Sequence, residues 1–340
     1  MSLSAPSHED HPTVLADWIE LKALSSEYGR AEISLIRSII DISQDHEAED
    51  IGDYDAFEDA IVARVAAEFS ARQKIIGEAY PFVISDGGSV LKLRDEVQLG
   101  GTVYLFCLIM SHAAGTTILP RTVLDGLVDK ARDLFQICAT LCAAGWCDGP
   151  AISFGWPRPD RTKFSEKLAQ VFELFGDGKP RAVPPPAAPQ HIKDGGIDVI
   201  AWRHVPDRMP GTLYMLGQVA SGQNWKEKSV LTDIRVFHEM WFEIRPASPC
   251  SGAMFIPFCI DAPPEESGEF TEQERLFDKM RWLTTEFGIL FYRYRVAHYA
   301  ARAQQLCDRS ISPIERIDDV PLIQAWIREC RNRLMKATAA

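Results

Sequence analysis

Two polar residues sit inside two apolar runs near the middle of the chain, and the candidate chemistry starts with them. Asp198 lies in Ile197-Asp198-Val199-Ile200-Ala201-Trp202, a run short and β-branched enough for a buried strand. Gln218 lies in Leu213-Tyr214-Met215-Leu216-Gly217-Gln218-Val219-Ala220, a second strand pattern. Pro206-Asp207-Arg208-Met209-Pro210-Gly211 between them is dense in turn formers, so the two runs read as a hairpin. A carboxylate in a strand buried on both faces needs a partner, because an isolated buried charge is strongly unfavourable. A metal ion is one such partner. An arginine is another, and in that case Asp194-Gly195-Gly196 is only a turn.

The hairpin and its DGGIDVIA entry resemble the Mrr-like branch of the restriction-endonuclease-like, PD-(D/E)XK, superfamily. The resemblance covers the central part of the chain. It implies an α/β (α+β) fold with a mixed sheet at its core. It places Asp198 as the metal-binding aspartate and Gln218 as the Glu or Gln of the second motif half, with the Val219 carbonyl beside it as a further ligand. The superfamily lysine belongs two residues after the Gln, where this chain has Ala220. Lys226 or Lys228, in what reads as the start of the next helix, can stand in for it. Mrr-like domains open with a helix whose glutamate points toward the metal. Glu166 in KFSEKL is the match, with Glu173 second, and the alternative for both is an ordinary solvated glutamate. The implied activity is Mg²⁺- or Mn²⁺-dependent DNA endonuclease chemistry in bacterial defence, alongside other subunits of a larger system. The alternative is a nuclease-like fold without catalysis, acting as a DNA-binding or assembly subunit.

The net charge of −12 counts against broad coating of DNA, which depends on neutralising phosphates with Lys and Arg. It allows a local basic groove in an acidic remainder, and it suits a subunit beside a more basic partner. The sequence contains no GxxxxGK[ST] loop, GxSxG elbow or HExxH helix. It also lacks a run of about 18 apolar residues, so no membrane span is expected. The polar N-terminus lacks a signal-peptide layout, which makes a cytoplasmic protein the expectation. Cys138, Cys142 and Cys147 lie on an apolar stretch without CxxC spacing and read as reduced core thiols rather than a zinc site.

Three regions position the hairpin: a mostly helical stretch over 1–150, the nuclease-like core over 151–262 and C-terminal helices over 263–340. Helical periodicity marks 14–42 with a break at Gly29, then 56–79, 101–114 and 121–144. His112, on an apolar helix, reads as a core histidine. Residues 81–85 and 90–93 flank Asp86-Gly87-Gly88 as a small hairpin, and 43–55 forms an acidic connection. Phe164, Leu168, Val171, Phe172 and Phe175 share one face of a helix over 163–175, which a proline-rich link follows. Beyond the central hairpin the pattern predicts a helix over 223–235, strands over 236–243 and 253–259, a long helix over 271–306 and a last helix from 320 to 337.

Overall fold

The computed structural model describes residues 3–43, 51–113, 116, 118–186, 188, 192–265 and 268–339. They form two compact units: Met1–Ala131 with Pro321–Ala340, and Arg132–Val320. The sequence division at 150 and 262 therefore shifts. Residues 263–320 belong with the central sheet, and the last helix belongs with the N-terminal elements.

The first unit holds α1 (Pro12–Ser25), β1 (Arg30–Glu32), α2 (Leu35–Ser43), α3 (Ile51–Ile76), β2 (Phe82–Ser85), β3 (Val90–Leu93), α4 (Leu99–Ala113) and the closing helix α11 (Val320–Ala339). β1, β3 and β2 make an antiparallel sheet in that order. α4 is apolar all round and buried along nearly its whole length, as a helix without a polar face must be. Its Tyr104 and His112 join a buried charge network. Arg72 on α3 is fully buried, and its guanidinium reaches Asp17 Oδ1 at 2.8 Å, Glu20 Oε1 at 2.9 Å, Glu68 Oε1 at 2.8 Å and the Thr13 carbonyl at 3.0 Å. Tyr80 and Tyr104 donate to Glu20, and His112 Nε2 lies 2.7 Å from Asp17 Oδ2. His112 is thus a core histidine with a carboxylate partner.

The second unit begins within α5 (Val128–Cys147). It continues through β4 (Ala151–Ser153), α6 (Phe164–Phe175), β5 (Lys179–Pro180), β6 (Val199–Trp202), β7 (Tyr214–Val219), α7 (Val230–Trp241), β8 (Phe242–Ile244) and β9 (Cys250–Phe255). α8 (Glu272–Phe287), β10 (Ile289–Phe291), α9 (Arg293–Ala300) and α10 (Ala303–Asp308) complete it. The five-stranded sheet runs β10-β9-β7-β6-β4. β4, β6 and β7 pair antiparallel, whereas β7, β9 and β10 pair parallel, so the sheet is mixed. One face carries Ile152, Ile200, Trp202, Tyr214 and Leu216 against the apolar stripes of α6 and α7. Further along, Ala220, Met254, Ile256 and Leu290 pack with Leu283 and Phe287 of α8. The hairpin of β6 and β7 is central because both of its neighbours, β4 and β9, are added to it.

Several elements differ from the sequence pattern. Residues 236–241 are helical rather than extended, because Val230, Phe237 and Trp241 recur at helical spacing and bury one face of α7. Gln223 does not start that helix. Trp225–Glu227 is a single 3₁₀ turn, and α7 begins at Val230 after Ser229. The long helix expected over 271–306 is broken at Gly288, whose φ of 76° favours glycine. A Cβ there would lie 2.3 Å from the Gly252 carbonyl oxygen, so the break also lets β10 dock beside β9. β1 and β4 are too short to show a period. α3 starts at Ile51, inside the expected acidic connection, of which residues 44–50 lie outside the described residues.

Arg72→Ala leaves buried Asp17 and Glu20 without their cation. It should cost about 3–5 kcal/mol of stability in urea titrations. A loss of under about 1 kcal/mol, the range of a surface ion pair, would show that the network is not under strain from burial.

Candidate active site

Asp198 directly precedes β6. Strict continuation of the ladder, in which Val199 pairs with Gly217, would set it opposite Gln218. The ladder closes differently. Asp198 N–H donates to the Gly217 carbonyl at 2.8 Å, and Asp198 Oδ2 accepts the Val219 N–H at 2.8 Å. The carboxylate thus takes a ladder position at the end of the strand. Asp198 and Gln218 lie on adjacent strands, but among the described residues no hydrogen bond joins their side chains. Gln218 Oε1 is sealed from solvent and has no hydrogen-bond partner among the described residues.

Absent side chains make room for this carboxylate. A Cβ on Gly155 would lie 2.6 Å from Asp198 Oδ1 and 2.6 Å from Gln136 Nε2. Gln136, on α5, donates to Ser153 Oγ at 2.9 Å and to the Asp198 carbonyl at 3.3 Å, which ties the helix to the strand end. Gly196 has a φ of 81°, and a Cβ there would lie 2.4 Å from Asp233 Oδ2. Asp194 accepts the Gly196 N–H at 3.0 Å and the Trp156 N–H at 3.3 Å, so it shapes the loop into β6 as well as turning it.

Burial pushes the Asp198 carboxyl up to about 7. The Val219 N–H opposes this, Asp194 and Asp233 add to it, and Lys228 pulls it back down. Burial and then Asp194 raise Asp233 as well. Carboxylates that raise one another's proton affinity form a site whose repulsion a cation relieves. Arg158, buried over the Phe154 ring at 4.8 Å, is a further positive group whose charge interacts with Asp194.

The remaining residues singled out in the sequence fall as follows. Lys228 sits in extended backbone just before α7, and its charge reaches Asp198. Lys226 lies over the Trp225 ring at 5.8 Å, and its charge acts on Lys279. Ala220 is buried in the apolar cluster under α8. Glu166 is exposed on the first turn of α6, and among the described residues no hydrogen bond joins it to Asp198; the carboxylates that act on Asp198 are Asp194 and Asp233. Sequence reading missed Gln136, Asp233 and Arg158. Asp194 belongs to the DGGIDVIA stretch that carries the resemblance, but the sequence assigns it no role of its own.

No group of three His, Cys, Asp or Glu side chains among the described residues is arranged to hold a metal ion by itself. A divalent ion here would rest on a mixed set: the Asp198 carboxylate, the Gln218 amide oxygen and the Val219 carbonyl, with waters filling the rest. That set suits a hard cation that prefers oxygen and keeps much of its hydration. The unpartnered Gln218 Oε1 and the cradle at Gly155 are consistent with such an occupant. Compared with known protein families, characterised proteins and solved structures, the chain shows no match.

A carboxyl that titrates at about 7 when folded, against about 3.9 unfolded, destabilises the fold as pH rises between those values. Asp198→Asn removes that penalty. In chelator-treated protein it should match the parent near pH 4 and exceed it at pH 8, by up to about 4 kcal/mol. Equal denaturation midpoints at both pH values would show that Asp198 is not desolvated.

Proposed function

We propose that this chain is a metal-dependent endonuclease that hydrolyses phosphodiester bonds in DNA, built on a restriction-endonuclease-like core. One observation carries the reading. Half-buried Asp198, at the open end of the central hairpin, takes the Val219 N–H on its carboxylate, while the next strand holds the sealed and unpartnered Gln218 oxygen. The strand order, with the hairpin flanked by an antiparallel strand on one side and parallel strands on the other, supports it. The resemblance to Mrr-like nucleases implies a role against foreign DNA, as one component of a bacterial defence system.

When bound, Mg²⁺ or Mn²⁺ supplies charge that polarises a phosphate and eases deprotonation of water. The chain's residues do the rest. Asp198, Gln218 and the Val219 carbonyl would hold the cation. Asp194 fixes the loop so that Asp198 keeps its place against Val219 N–H. Gln136 anchors the strand end from α5. Lys228 contributes a donor for charge that develops on the phosphate, in place of the lysine absent at Ala220.

A second reading, a nuclease-like DNA-binding or assembly subunit without catalysis, is favoured by one feature. Ala220 is buried among apolar side chains, so no cation can project from that strand position. Metal-dependent cleavage of plasmid DNA separates the two readings. Asp198→Ala should abolish cutting. Lys228→Ala should slow it about a hundredfold, as expected for the loss of one charge-stabilising donor, with metal binding retained. Lys226→Ala should cut at close to the parental rate. DNA binding with no cleavage in Mg²⁺ or Mn²⁺, alone or with partner subunits, would establish the second reading.

A further inference from the structure

The first unit carries a cleft with its own charge pattern. It has a volume of about 580 Å³, is open to solvent, and lies within the size range of small-molecule sites. Its walls are the turn after α1, with Glu27 and Tyr28, the β3–α4 connection, with Arg94 and Asp95, and α11, with Arg328 and Arg331. Among the described residues, none of the three arginines meets a carboxylate. Arg94 is anchored through Nε to the Tyr80 carbonyl at 2.9 Å, and Arg331 through Nη2 to the Ser26 carbonyl at 3.2 Å. A carbonyl anchor fixes a guanidinium in place without cancelling its charge. Asp95 is occupied elsewhere, at 3.1 Å from Lys92 Nζ.

Arg331 is under-satisfied as well. Its Nε is sealed from solvent with no hydrogen-bond partner among the described residues. Guanidinium charge is delocalised over all three nitrogens, so an anion on the outer nitrogens compensates the shielded one. Forked guanidiniums match phosphate oxygens in geometry. The cleft is larger than a bare phosphate requires, and its remaining wall combines Tyr28 and apolar side chains with Thr102 and Gln324. Tyr28 is 77% exposed beside Leu24, Leu93 and Ile327, which offers a ring surface on which a planar base can stack. Glu27, exposed and without an ion pair among the described residues, is an acceptor for an exocyclic amino group.

We propose that this cleft binds a nucleoside phosphate, with phosphate oxygens on Arg94, Arg328 and Arg331 and an amino-bearing base against Tyr28 and Glu27. The site is separate from the hairpin site, and DNA cleavage plays no part in its test. Calorimetric titration of the full chain with AMP, ATP and inorganic phosphate reads it directly. AMP or ATP should bind saturably and more tightly than phosphate. Arg328→Ala, an exposed change on α11 that leaves the fold intact by its thermal melt, should weaken nucleotide binding about tenfold, as expected for one charge-assisted contact. Tyr28→Ala should weaken AMP while leaving phosphate unchanged. The proposal is overturned if AMP and ATP bind no better than phosphate, or if Arg328→Ala has no effect on either. It is also overturned if short duplex DNA displaces bound ATP, because the arginines would then serve a nucleic-acid backbone.

Discussion

The second unit depends on how it accommodates one carboxylate. Asp198 is half-buried just before β6, beside the end of β7, the strand that joins the antiparallel and parallel halves of the sheet. Desolvation of a carboxylate is costly enough to shape whatever surrounds it. Here the surroundings are specific. A ladder N–H from Val219 is turned onto the side chain, and Gly155 leaves space for Oδ1. Gly196 admits Asp233 from α7, and Gln136 steadies the backbone from α5. Elements distant in sequence are brought to one strand end.

The two units treat buried charge in opposite ways. Around Arg72 each charge meets a counter-charge, and hydroxyls from Tyr80 and Tyr104 add further hydrogen bonds. That network is closed, which suits a structural role in holding α1, α3 and α4 together. Around Asp198 the balance is left open. Asp194 and Asp233 oppose the carboxylate, and Gln218 Oε1 is unpartnered. Unrelieved polar groups in a packed region are uncommon, and they concentrate at functional sites.

The sequence made the hairpin legible because β-branched runs around a proline- and glycine-rich turn have few other readings, and β6 and β7 fall within the expected limits. The amphipathic stripe of α6 was legible for the same reason. Legibility failed where tertiary contacts decide. Val236–Trp241 is rich in β-favouring residues, yet the spacing of Val230, Phe237 and Trp241 prevails once a sheet face is there to cover. β10 is three residues long between helices, and only Gly288 hints at it. Asp198 and Gln218 could be picked out as polar residues in apolar surroundings. Gln136 and Asp233 could not, since each is an ordinary polar residue on an amphipathic helix until folding brings it to the strand end. Of the two lysines, only the fold distinguishes Lys228, whose charge reaches Asp198, from Lys226, which lies on Trp225.

The closing helix α11 places Trp326 with its indole N–H on the Leu127 carbonyl and its ring 4.9 Å from that of Phe106. The first unit is therefore discontinuous, and its last piece follows all of the second in the chain. On a ribosome, where domains fold as their residues emerge, the contiguous second unit is complete while the first still lacks a wall. Until α11 arrives, α4 presents an apolar flank that must be kept from other chains. Synthesis order thus gives the N-terminal unit a period of exposure, which ends once α11 has been made.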